Sequence, residues 1–135
     1  MTAVLVDSNV LLDLFTNHPH WSDWSAAALA EAADSGRLAI NPIIYAEVSV
    51  RFNRIEDLDA ALPRSRFDRE PIPDAAAFLA GKAFVTYRRR KGERQSPLPD
   101  FFIGAHAAVA GYTLLTRDPS RYRTYFPTVN LIAPI

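Results

Sequence analysis

Apolar runs of two kinds alternate along this chain. Residues 3–6 (AVLV) form a continuous run without polar alternation, which suits a strand buried on both faces of a parallel sheet. Asp7 follows at once. Ser8-Asn9 then opens a second run, Val10-Leu11-Leu12, closed by Asp13, so residues 8–15 are predicted as a short helix. Residues 16–20 (TNHPH) read as a loop. Residues 21–35 are rich in helix formers, with Gly36 at the place of a C-terminal cap. A second short strand is expected over 37–40 and is broken by Asn41-Pro42. Ile44, Val48 and Phe52 then share one face of a helix over 43–52, with Glu47 beside it, and 55–62 is a short amphipathic helix ended by Pro63.

In the second half, residues 67–72 predict a strand in spite of the charges Asp68, Arg69 and Glu70. A long helix is expected over 74–90, a loop over 92–98, and a helix over 99–110 with Pro99 at its first position and Gly111 closing it. Residues 112–116 (YTLLT) read as a strand, 117–119 turn into a short helix, and 129–132 form the last strand. Strands alternating with helices predict a parallel sheet flanked by helices. Ligands of such sheets sit beyond the carboxyl ends of the strands, and Asp7 stands at one of them.

At 135 residues the chain is expected to be one domain with a single core, and 49% hydrophobic with 22% charged residues is ordinary for a globular protein. The absence of cysteine removes thiol nucleophiles, disulfides and cysteine metal sites, and it fits a reducing compartment. The apolar start is too short for a signal-peptide core and lacks a basic flank, and no apolar stretch approaches the roughly 20 residues that span a bilayer. The expectation is a cytoplasmic protein with no membrane contact. Formal net charge is 0, which argues weakly against nucleic-acid binding, but charge is unevenly spread. Residues 87–95 (YRRRKGERQ) carry Arg88, Arg89, Arg90, Lys91 and Arg94 against Glu93. Such a block is either a solvated helix end or a contact for phosphates or a partner.

Four acids share one feature. Asp7 follows the first strand, Asp118 follows the fourth, Asp100 lies in the first turn after Pro99, and Glu47 lies one turn into the helix after the second strand. In a doubly wound sheet these positions open on the same edge. Carboxylates gathered on one rim raise one another's pKa unless a cation sits among them, and oxygen-only ligands suit Mg²⁺ or Mn²⁺. Singly, Asp100 and Asp118 read equally well as acids favoured at helix starts, and Glu47 as a solvated helix residue. His18, His20 and His106 have no metal spacing, and His106 reads as a core or surface histidine. Asp13 reads as structural, and Asp57, Asp59, Asp68 and Glu70 as exposed charges. Trp21 and Trp24 share a helical face, for core packing or for an interface.

VLVDSNVLLDLF at the start, IIYAEVSVRF around Glu47, SPLPDFFIGAHAAVAGYTLLTRD with Asp100 and Asp118, and the closing RYRTYFPTVNLI together resemble the PIN-domain family, and within it VapC-type toxins of toxin–antitoxin pairs. The ordered set spans essentially the whole chain. The resemblance implies one PIN domain over 1–135, a three-layer α/β/α sandwich with a short parallel sheet of about five strands. It implies a metal-dependent endoribonuclease that cuts tRNA, rRNA or mRNA, with Mg²⁺ or Mn²⁺ held by Asp7, Glu47, Asp100 and Asp118. Thr116 and Asn9 match supporting polar residues. Many relatives carry a further acid where this chain has Gly104. A VapB-type antitoxin and a homodimer are implied as partners, and Arg88, Arg89, Arg90 and Lys91 are candidate RNA contacts. Two other readings stand beside this one. The first is a PIN-like module that binds RNA or protein without catalysis. The second is an aspartyl-phosphate phosphatase with Asp7 as nucleophile, though Asn9 stands where that chemistry would place a second acid.

Overall fold

The central strand is the one that the first apolar run predicts. In a computed structural model of the chain, which describes residues 3–91 and 98–135, Val4–Val6 (β1) is buried at every position. Strand Leu38–Ile40 (β2) flanks β1 on one side and Thr113–Leu115 (β4) on the other. Phe67–Arg69 (β3) and Leu131–Ile132 (β5) form the edges, giving the order β3-β2-β1-β4-β5 with every pairing parallel. Leu5 pairs in register with Ala39 and Leu114, so the three middle strands end level with one another. The strand order reverses between β1 and β4, and a crevice opens there beyond their carboxyl ends.

Seven helices among the described residues complete a three-layer α/β/α sandwich: Ser8–Phe15 (α1), Ser22–Ser35 (α2), Pro42–Ser49 (α3), Ile55–Ala61 (α4), Asp74–Lys91 (α5), Leu98–Ala110 (α6) and Ser120–Tyr125 (α7). α1 packs on α2, α5 packs on α6, and α3 touches both α1 and α6. Asn41 caps α3 by accepting the Ile44 N–H at 2.9 Å, with Pro42 supplying a fixed φ at the helix start. Pro99 therefore has a counterpart here, but it lies at the second position of α6, because Leu98 already begins that helix. Gly111 closes α6 at φ +72°, a left-handed conformation that favours glycine, and Tyr112 N–H returns to the Ala107 carbonyl. Gly36 is different. Its backbone is extended, so any residue would fit there.

Three boundaries differ from the sequence reading. The third helix ends at Ser49 rather than Phe52, because the chain turns there and Phe52 packs edge-on against Phe15, with centroids 5.5 Å apart. The third strand keeps only residues 67–69. The expected exposed charges around it are mostly engaged. Asp68 pairs with Arg37, Asp59 pairs with Arg69 and accepts from Tyr45, and half-buried Glu70 accepts from Tyr112. The loop expected over 92–98 lies outside the described residues apart from Leu98. So do Glu93, Arg94 and the side chain of Lys91.

The core fills both sides of β1 with Leu5, Val6, Ile40, Ile103, Leu114 and Leu115, all essentially inaccessible. An aromatic cluster of Tyr87, Phe101, Tyr125 and Phe126 joins α5, α6 and α7, with centroids 5.2–6.0 Å apart. His106 is a core histidine as expected, buried and joined to Asn41 Nδ2 through Nδ1 at 3.0 Å. Trp24 packs against the core, while half-buried Trp21 meets it edge to face.

Gly104 is where the aromatic cluster presses closest. A Cβ added there would lie 2.6 Å from Phe126 Cε2 and nearer still to Cδ2. We expect Gly104→Ala to destabilise the fold by about 2 kcal/mol, overpacking outweighing the gain in helix propensity. Urea unfolding checks this. The midpoint should fall at an unchanged m-value, and an unchanged midpoint would mean that the ring simply moves aside.

Candidate functional site

Asp7 leaves β1 at the crevice. Its N–H donates to the Leu115 carbonyl at 2.9 Å, which ties the turn to β4. It occupies the N-cap position of α1 but makes no side-chain cap, so the carboxylate is not spent on the helix. Instead it is buried and hydrogen-bonded mainly through one oxygen. Oδ2 accepts from Thr116 Oγ1 at 2.8 Å, from Tyr122 Oη at 2.9 Å and from Asn9 Nδ2 at 3.4 Å. Oδ1 has only a long contact from Ser8 Oγ, at 3.5 Å. Burial, opposed by Thr116 and joined by the charge of Asp100, pushes the Asp7 carboxyl up to about 6.

The other acids arrive from three further elements. Asp100, in the first turn of α6, and Asp118, after β4, line one polar cavity of about 200 Å³ with Asp7, Ser8 and Asn9. Burial raises the Asp100 pKa, against the Arg121 contact that lowers it. Asp100 Oδ2 accepts from Arg121 Nη1 at 2.6 Å. Glu47 does not line that cavity. It joins the group through Ser8, whose hydroxyl donates to Oε1 at 2.7 Å, and burial raises its pKa as well. The Asp118 backbone N–H and Asn9 Nδ2 donate to Thr116 Oγ1 at 3.1 and 3.3 Å, so Thr116 receives two bonds and passes one to Asp7.

Thr116 and Asn9, which the resemblance implies as supporting polar residues, both contact Asp7. Asn9 also accepts the Arg117 N–H through Oδ1 at 3.1 Å, which leaves its side chain no freedom to act as an acid would. Larger concavities lie elsewhere, about 520 Å³ beside α2 and β3 and about 380 Å³ beside Tyr45 and Arg69. Each has a single acid, Asp68 or Glu70, already engaged by Arg37 or Tyr112, so the acidic crevice is the better candidate.

The sequence matches the PIN-domain family model over residues 4–127. The chain belongs to the PIN-domain family. No curated protein sequence matches it significantly. Among solved structures, a chain of VapBC2 from Rickettsia felis, bound to a DNA fragment from their promoter, is similar at TM-score 0.70 and 21% identity, covering 97% of this chain and 98% of that one. A chain of VapBC-1 from nontypeable Haemophilus influenzae gives 0.70 and 18%, covering 97% of each. A chain of a toxin–antitoxin complex from Klebsiella pneumoniae gives 0.64 and 22%, covering 98% of each. At these identities the likeness shows the fold.

Hard oxygen donors and carboxylates of raised pKa suit a divalent cation in this PIN domain. Among the described residues, however, no three acids or histidines already form a set able to hold a metal. Asp100 is turned to Arg121 and Glu47 to Ser8. The donor chemistry fits a cation, and the side chains would have to turn toward it.

Two residues of the PIN site escape a reading of the sequence. Tyr122 is fully buried with its hydroxyl on Asp7, and Arg121 contacts Asp100 from the same short helix. Their one signal is the segment RYRTY three residues after Asp118, too short for its register to be read. Asp13 is structural as expected, and its partner is Arg117. Gly104 lies against the Phe126 ring, which a larger side chain there would have to displace. Arg88, Arg89 and Arg90 are exposed on the last turns of α5, and Arg88 lies over the Phe84 ring.

Proposed function

We propose that this PIN domain is a divalent-metal-dependent endoribonuclease, the toxin of a VapBC-type toxin–antitoxin pair. The observation that carries the reading is the buried Asp7 carboxylate facing Asp100 and Asp118 across a polar cavity at the strand-order reversal. Asp7, Asp100 and Glu47 would hold Mg²⁺ or Mn²⁺, with Asp118 at the rim, and the bound ion would supply an activated water and charge stabilisation for in-line displacement at phosphorus. Thr116 and Tyr122 fix Asp7 through Oδ2, which leaves Oδ1 for the cavity. No side chain need form a covalent intermediate. The phosphatase alternative finds no second acid beside Asp7, since Asn9 is engaged there by Arg117 and Thr116.

The partners we infer are a VapB-type antitoxin, as in the VapBC complexes of similar fold, a second copy of the chain, and RNA. No helix among the described residues is long and apolar enough to cross a membrane. We place the protein in the cytoplasm with its RNA. The test is cleavage of structured RNA by purified, antitoxin-free protein with Mg²⁺ or Mn²⁺, beside EDTA and an Asp7→Ala control. Cleavage should vanish in both controls, and cleavage that persists in either would sink the assignment.

Arg88, Arg89 and Arg90 stand exposed on α5, whose Tyr87 touches the aromatic cluster beneath Asp100. We expect their joint replacement by Ala to weaken cleavage at moderate salt while leaving metal binding intact. Loss of three phosphate contacts to a single strand flattens the log–log salt dependence of RNA affinity by about 2. An unchanged slope would remove these arginines from the RNA path.

A further inference from the structure

Arg121 sits inside the acidic cavity, not on its approach. Its guanidinium lies over the Tyr87 ring at 5.7 Å, and Nη1 donates to Asp100 Oδ2 at 2.6 Å. Asp7 and Asp118 line the same cavity, so Arg121 holds one of its three carboxylates and lies among the other two. The oxygen it takes is one that a divalent ion bound at Asp100 would need.

We propose that Arg121 is the site's built-in cation: it holds Asp100 until a divalent ion displaces it, and the released guanidinium then takes a non-bridging oxygen of the substrate phosphodiester. The half concerning RNA rests on the nuclease reading, and the half concerning the ion does not. The side chain is about one-third exposed and is not part of the buried core, so it can swing without breaking the core. The helix holds the Asp100 backbone in place, with Phe101 buried beside it in sequence, so only the carboxylate need turn. Arg121 is thus a positioning residue for Asp100 before the ion binds and a substrate contact afterwards.

Mn²⁺ affinity, read by electron paramagnetic resonance without RNA, separates this role from a structural one. Arg121→Ala should bind Mn²⁺ about five-fold more tightly than wild type, as expected for loss of a competing, partly screened ion pair. Arg121→Lys should fall between the two. Arg123→Ala, an exposed charge on the same helix, controls for general electrostatics and should leave the affinity unchanged. In Ca²⁺, the affinity of Arg121→Ala for a fluorescein-labelled oligouridylate should have a log–log salt slope shallower by about 0.7, one phosphate contact on a single strand. Unchanged or weaker Mn²⁺ binding by Arg121→Ala, or equal tightening by Arg123→Ala, would overturn the exchange. An unchanged salt slope would overturn the phosphate contact. If wild type and Arg121→Ala both fail to bind Mn²⁺, the metal-nuclease reading falls together with the exchange. If wild type binds and Arg121→Ala binds no better, only the exchange falls.

Discussion

Replacing Asp7 with Asn should abolish RNA cleavage and at the same time stabilise the metal-free protein. Burial holds this carboxyl up at about 6 from its ordinary 3.8, so ionising it at neutral pH costs more in the fold than in the unfolded chain. Two units correspond to about 3 kcal/mol, and an amide of the same shape removes the charge while keeping an acceptor for Tyr122 or Thr116. The expected gain is about 1–3 kcal/mol, or a rise in Tm of about 4–10 °C. Cleavage should fall by more than the roughly 100-fold that follows loss of a group which only orients a metal ligand. Mn²⁺ should raise the Tm of wild type and not that of Asp7→Asn. A less stable Asp7→Asn variant that still binds Mn²⁺ would show that the carboxylate is structural.

The same shift fixes the sign of the pH dependence. The folded state binds the Asp7 proton more tightly than the unfolded state does, so this group's contribution to stability is fully present below pH 3.8. It is lost as pH rises through about 6. The raised Glu47 and Asp100 carboxyls act in the same direction. Cleavage runs the opposite way, because ligands to a cation must be ionised, so activity should rise through about pH 6 while apo stability declines. Opposed slopes of this kind mark a site whose buried carboxylates the apo protein neutralises only in part.

How far the sequence reaches is visible in particular residues. β1 and β4 are legible because strands buried on both faces can hold only apolar residues, and Asp7 and Thr116 are then placed by topology. Phe52 misleads because helical spacing persists in the pattern after the backbone has left the helix, and only its contact with Phe15 across the fold reveals the turn. β3 is nearly hidden for the opposite reason. Asp68 and Arg69 look unsuited to a strand until Arg37 and Asp59, distant in sequence, are seen to neutralise them. Within the site, the acids are marked by where strands end. Tyr122 and Arg121 are not, since what matters there is which side of a six-residue helix faces Asp7 and Asp100.

Asp13 shows the same limit with the largest expected cost to the fold. It is 1% exposed, and its two oxygens take Arg117 Nε and Nη2, each at 2.9 Å, with Ser25 Oγ at 2.8 Å. The guanidinium also lies over Trp21 at 5.5 Å, so one pair ties the end of β4 to α1 and α2. Asp13→Ala should destabilise the protein by about 3 kcal/mol, because it leaves half-buried Arg117 without its bidentate carboxylate and Ser25 without its acceptor. Arg117→Ala strands Asp13 in the same way, so the double variant should cost less than the sum, with a coupling of about 1–3 kcal/mol in urea unfolding. Near-zero coupling would mean that the pair adds nothing beyond its separate contacts. The effect should also reach the site, since Arg117 stands between Thr116 and Asp118 and its N–H holds Asn9. Cleavage by Asp13→Ala should therefore fall even at temperatures where the variant is fully folded. Full activity there would confine the pair to stability and leave Thr116 to be fixed by its own bonds to Asp7, Asn9, Asp118 and Ile132.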